Sequence, residues 1–90
     1  MSIVYLEYFI TAIRVGSFKQ TASKLFVSPQ AVSKGINTLE KELGAPLFEK
    51  SGRGVKATDT ALAIEPLATS ILDYAHQMRD VAKRSIENNR

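Results

Sequence analysis

Cysteine and tryptophan are absent from the 90 residues, and histidine occurs once. Without cysteine there is neither a disulfide framework nor a thiolate metal site, which suits a reducing cytoplasm. His76 has no second ligand beside it, so neither a metal nor a cofactor is expected. No glycine-rich phosphate loop is present, and an enzyme therefore has little support. No apolar run approaches the ~20 residues needed to span a bilayer, and the amino terminus lacks a basic segment followed by an apolar core. A cytoplasmic protein with no membrane partner is the expectation.

Ninety residues suffice for one small domain with a modest core and are too few for a cleft between two lobes. A hydrophobic content of 44%, with four Phe and three Tyr to anchor the interior, is that of a folded chain. The net charge is +3, unevenly distributed. From Arg14 to Lys56 there are eight basic residues against three acids, a local charge of +5, and the remainder carries −2. A polyanionic partner would be met by that segment.

The stretch from Ser28 to Leu43 carries the most information. Ser28 can accept from the free amides of a first helical turn, Pro29 suits the first helical position, and Gly44 provides a stop. On a helix advancing about 100° per residue, Val32, Ile36, Leu39 and Leu43 fall within about 60° of one another. They form the buried stripe. Gln30, Ser33, Lys34, Asn37 and Lys41 then lie on the outer side, where no acid interrupts them. Their donors and acceptors match base edges, and a major groove about 12 Å wide admits one helix.

A shorter helix precedes it. Ser17 caps Phe18 to Leu25, and Gln20 closes a capping box three residues on. Phe18, Ala22, Leu25 and Phe26 make its inward face; Lys19, Gln20, Ser23 and Lys24 lie outward. With only Phe26 and Val27 between this helix and Ser28, the pair has a helix-turn-helix layout.

The spaced set Gly16-Ser17-Phe18, Ala22, Leu25, Val27-Ser28, Ala31-Val32-Ser33-Lys34, Ile36, Leu39-Glu40, Leu43-Gly44 and Leu47-Phe48 resembles the amino-terminal DNA-binding domain of LysR-type transcriptional regulators. The likeness spans nearly the whole chain. It implies that the start of the second helix lies near the phosphate backbone, where its residues position rather than specify. It also implies a larger effector-binding domain after the linker helix, sensing a small molecule and missing from these residues.

Ahead of the helix pair, Leu6, Phe9, Ile10 and Ile13 recur at helical spacing from Ile3 to Val15, with Tyr5 and Tyr8 at the core edge and Gly16 as the stop. After Gly44, extended pieces at Leu47 to Lys50 and Val55 to Ala57 flank a glycine-containing turn and predict a small hairpin, a wing. Arg53 sits between Gly52 and Gly54 at its tip, a suitable way to bring a guanidinium into a minor groove.

Thr58 then caps a long helix with Asp59 in its first turn. Ile64, Leu67, Ile71, Tyr74, Met78 and Val81 alternate spacings of three and four, the seam of a helix pair, which a core this small cannot cover. Self-pairing is expected. Pro66 removes one backbone hydrogen bond and should kink the helix, which the resemblance tolerates. Asn88, Asn89 and Arg90 read as frayed. Two positions depart from the family pattern. Gly35 stands where a longer polar residue is usual, so one phosphate or base contact is expected to be lost, and Ala61 stands where glycine is usual.

The expected architecture is mainly α: a winged helix-turn-helix, a three-helix core plus a β-hairpin wing over residues 1–58, followed by a dimerising linker helix over 59–90. The expected activity is homodimeric, sequence-specific binding of double-stranded DNA at an interrupted inverted repeat in the bacterial nucleoid. Pro29, Gln30, Ser33, Lys34 and Asn37 would face the major groove and Arg53 the minor groove, with Lys19, Lys50 and Lys56 on phosphate. The competing reading is a helical interaction module that uses the seam from Ile64 to Val81 and binds no DNA.

Overall fold

Serine, glycine and threonine punctuate the chain where its elements begin and end. The structure, a computed structural model, describes residues 1–88, so Asn89 and Arg90 lie outside the described residues. Four helices, α1 (Ile3–Val15), α2 (Phe18–Leu25), α3 (Pro29–Leu43) and α4 (Asp59–Asn88), accompany two strands, β1 (Phe48–Ser51) and β2 (Gly54–Ala57), which lie between α3 and α4. Ser2, Ser17 and Ser28 cap the first three helices through Oγ, accepting from Tyr5, Gln20 and Ala31 backbone N–H groups at 3.2, 3.1 and 3.0 Å. Gly16 and Gly44 close α1 and α3 in the left-handed conformation.

The core forms where α1, α2 and α3 meet. Leu6, Phe9, Ala22, Val32, Ile36 and Leu39 are buried there, and Leu47 seals it from the loop after α3. Phe48 stacks edge-on against both Phe18 and Phe9, with ring centroids 5.4 and 5.9 Å apart. The hairpin is thereby fixed to the helices. β1 and β2 are antiparallel, pairing Phe48 with Ala57 and Ser51 with Gly54. Gly52 has φ 58° and Arg53 does not share that sign, the φ pattern of a type II′ turn, which suits the twist of a two-residue hairpin. β1 starts one residue later than expected, because Leu47 N–H bonds the Glu40 carboxylate and not a strand, and β2 starts one earlier, because Gly54 pairs with Ser51.

α4 packs its first half on α1. Ala61 and Ala68 are buried and Leu72 rests against the core. The helix accommodates the exposed Pro66 and continues through Asn88, so Asn88 is helical where fraying was expected. Ile64, expected in the seam, is drawn partly into the core beside these residues. Leu67, Ile71, Tyr74, Met78 and Val81 remain exposed.

Candidate nucleic-acid interface

Three elements converge on one side of the core. α3 presents Pro29, Gln30, Lys34 and Asn37 to solvent, with Ser33 half-buried among them. The same helix buries Val32, Ile36 and Leu39, so the apolar stripe fixes which side faces out. Among the described residues, no Lys or Arg side chain is held in an ion pair. The cations of this surface are therefore free to meet an external charge.

The wing is held in register with the helices by a short set of polar contacts. Glu40 accepts from Leu47 N–H at 2.7 Å, and its own carbonyl accepts from Gly44 and Ala45 N–H. Thr58 Oγ1 donates to the Pro46 carbonyl at 2.8 Å while accepting from Ala61 N–H at 3.2 Å, so a single hydroxyl caps α4 and clasps the loop before β1. On the other strand Val55 N–H donates to the Gly16 carbonyl at 3.0 Å. Gly54 lies against that same carbonyl, and a side chain there has no room. These bonds set the height of the hairpin relative to the start of α2.

That height decides which cations meet. A groove of about 310 Å³ between α2 and the hairpin is lined by Lys19, Lys50 and Arg53 together with Ser17 and Phe18. A second groove, between α3 and β1, joins Ser33 and Asn37 to Lys50. Lys50 thus links the helix face to the wing tip. Lys56 is exposed but stands apart: its cross-strand neighbour is Glu49, and it lines neither groove. His76 lies in a cleft between α1 and α4 with Glu7, Arg14 and Asp73, far along the chain from this surface.

Three expectations require correction. Phe26 does not join the inward face of α2. It is the left-handed C-cap of that helix, with φ 59°, and its ring is 95% exposed. The helix ends at Leu25 as the sequence implies, and the reversed backbone at Phe26 turns the ring outward. Gly35 is not a missing outward contact; it is buried, and a Cβ there would stand 2.8 Å from ring carbons of both Tyr5 and Tyr8. The glycine lets α1 approach α3. Of the capping box at α2 only the Ser17 half forms, and the Gln20 side chain is exposed. Glu40, Thr58 and Gly54 hold the wing through partners that sequence spacing does not mark. A signal existed for one of them, since Glu40 is the lone acid in the spaced family pattern.

Comparisons with known proteins bear on the whole arrangement. The sequence profile of "Bacterial regulatory helix-turn-helix protein, lysR family" matches residues 3–62. The chain is 38% identical over 82 residues to the HTH-type transcriptional regulator CitR of Bacillus subtilis (strain 168), covering 90% of this chain and 28% of that protein. It is 45% identical over 89 residues to the regulator AbaB of Streptomyces antibioticus, covering 99% of this chain and 29% of that one. The structure superposes on the crystal structure of the CbnR DNA-binding domain in complex with DNA with a TM-score of 0.87, at 30% identity and over 96% of this chain and 99% of that one. The chain spans less than a third of the length of the two curated relatives. No helix among the described residues is long and apolar enough to cross a membrane. From its helix-turn-helix and wing to its long final helix, this chain belongs to the LysR family of bacterial regulatory helix-turn-helix proteins.

Proposed function

We propose that the chain binds double-stranded DNA sequence-specifically, as the DNA-reading part of a homodimeric transcriptional regulator. One observation carries the reading: the polar face of α3 with Gln30, Lys34 and Asn37 is exposed beside a groove where Lys19, Lys50 and Arg53 meet. In this reading Gln30, Ser33, Lys34 and Asn37 address base edges, Pro29 sets the entry of the helix, and Arg53 enters the adjoining minor groove. Lys19 and Lys50 neutralise phosphates, with Lys56 a weaker contributor. The likeness to a domain solved with DNA supports the same placement.

The outward face of α4 supplies the dimer contact. Leu67, Ile71, Tyr74, Met78 and Val81 form an exposed apolar stripe on a helix whose other face the core holds through Ala61, Ala68 and Leu72. Residues 59–88 accordingly carry a core-bound stripe and a pairing stripe. A two-fold dimer presents two recognition helices to an interrupted inverted repeat, with half-sites a helical turn or a multiple apart. A regulator of this kind works where the chromosome lies, in the cytoplasm at the nucleoid, and any small-molecule response belongs to a further domain.

Selection of duplexes from a random pool at two salt concentrations tests the reading. Enrichment of an interrupted inverted repeat is expected, with retention falling as salt rises. A dimer that retains no duplex at low salt would overturn it in favour of a protein interaction module.

A further inference from the structure

Neither the fold nor the contacts proposed above account for Phe26. Its ring is almost wholly in water. Among the described residues it is also the one non-glycine with a positive φ. Glycine or asparagine closes a helix in this conformation with less strain, so the backbone gains nothing from phenylalanine here. The core gains nothing either, because the ring does not enter it. Its outward placement suits a contact with something outside the chain.

The surroundings indicate what that is. Two residues further on, Ser28 opens α3, and Pro29 and Gln30 at the start of that helix are exposed. On the other side Ser23 and Lys24, near the end of α2, are exposed too. Residues 8–39 contain no Asp or Glu, and Lys24 and Lys34 lie on either side of Phe26 in the chain. The ring therefore belongs to an acid-free, cationic stretch and stands two residues from the helix end assigned to the major groove. Among the base edges exposed in that groove, the apolar group is the C5-methyl of thymine, and phenylalanine is a side chain that contacts it.

We propose that Phe26 reads a thymine methyl at the border of each half-site, an inference that rests on the DNA-binding reading above. The test uses the whole chain and a duplex recovered by selection. Each thymine is replaced in turn by deoxyuridine, which deletes the methyl and leaves every hydrogen-bonding edge in place. At one symmetry-related pair of positions, affinity is expected to fall about threefold to fivefold per site, the scale of one buried methyl group. Phe26→Ala should bind the thymine and uracil duplexes alike. Phe26→Asn, which tolerates the left-handed cap, should do the same while melting no lower than the parent. Absence of discrimination in the parent chain, or discrimination that survives in Phe26→Ala, overturns the assignment while binding to the selected duplex stands. Equal weakening of every duplex by Phe26→Ala, with thymine preference intact, also overturns it. Failure to retain any duplex removes the DNA reading itself.

Discussion

Two opposing effects meet at position 35. Alanine there gains about 1 kcal/mol of helix propensity over glycine. Its Cβ, however, meets the Tyr5 and Tyr8 rings at 2.8 Å. Overpacking of that kind costs about 1–3 kcal/mol. Packing wins on these magnitudes, so Gly35→Ala is expected to lower stability by about 1 kcal/mol and Gly35→Gln by more, read as the midpoint of urea unfolding. A stabilised Gly35→Ala would mean that the tyrosine rings yield. Lys34, one residue earlier and exposed, is the contrasting case. Lys34→Ala should leave stability within about 0.5 kcal/mol. It should weaken binding and relax preference inside each half-site, whereas Lys56→Ala weakens all duplexes alike; identical specificity profiles for Lys34→Ala and the parent would contradict base contact. The two positions also mark the limit of reading residues from sequence. Lys34 lies on the polar side of a simple 3.6-residue pattern, and its exposure follows from that pattern alone. Gly35 depends on how closely α1 crosses α3, and Phe26 on the left-handed backbone of the cap that closes α2, which local spacing does not specify.

Among the elements, the helices were legible because serine caps and glycine stops bracket them: Ser17, Ser28 and Gly44 act as their residue types predict. The hairpin was legible only as a turn with flanking extended pieces, since its attachment uses partners distant in sequence. Glu40 reaches Leu47, Thr58 reaches Pro46, and Val55 reaches Gly16. Of these bonds Glu40 to Leu47 N–H is charge-assisted, and Leu47 is fully buried. Glu40→Ala leaves that amide without its partner and is expected to cost about 2 kcal/mol, a fall in Tm on the order of 10 °C for a domain of this size. Thermal unfolding followed by circular dichroism gives the value, and an unchanged Tm would show that the loop holds without the carboxylate. Of the six seam positions, Ile64 differs in being partly buried against the core. Ala61, Ala68 and Leu72 form a second stripe beside it, and two alanines give a weak hydrophobic signal even where they are the buried contact.

For the whole molecule, the proposed dimer rests on the exposed face of α4. Ile71→Asp sets two carboxylates into one seam and should yield monomers in sedimentation velocity, with duplex affinity falling as the second half-site contact is lost. An unchanged dimer would remove Ile71 from the seam. Lys19→Ala deletes one phosphate contact per protomer and should reduce the slope of log affinity against log salt by about two for the dimer. The core-bound stretch of α4 has a mechanical corollary. Because Ala61 and Ala68 weld the helix to α1, while Glu40 and Thr58 clasp the wing to the same core, each protomer behaves as one stiff head on a rod. From Ala68 to Val81 that rod is about 20 Å long at about 1.5 Å per residue. In the proposed dimer a 10° change in the angle at which two such rods cross, about 5° for each, then swings each head by about 1.7 Å and alters their separation by about 3.5 Å, roughly the 3.4 Å rise between successive nucleotides of a strand. The angle in that seam is thus a ruler for the gap between half-sites, marked in steps of one base pair.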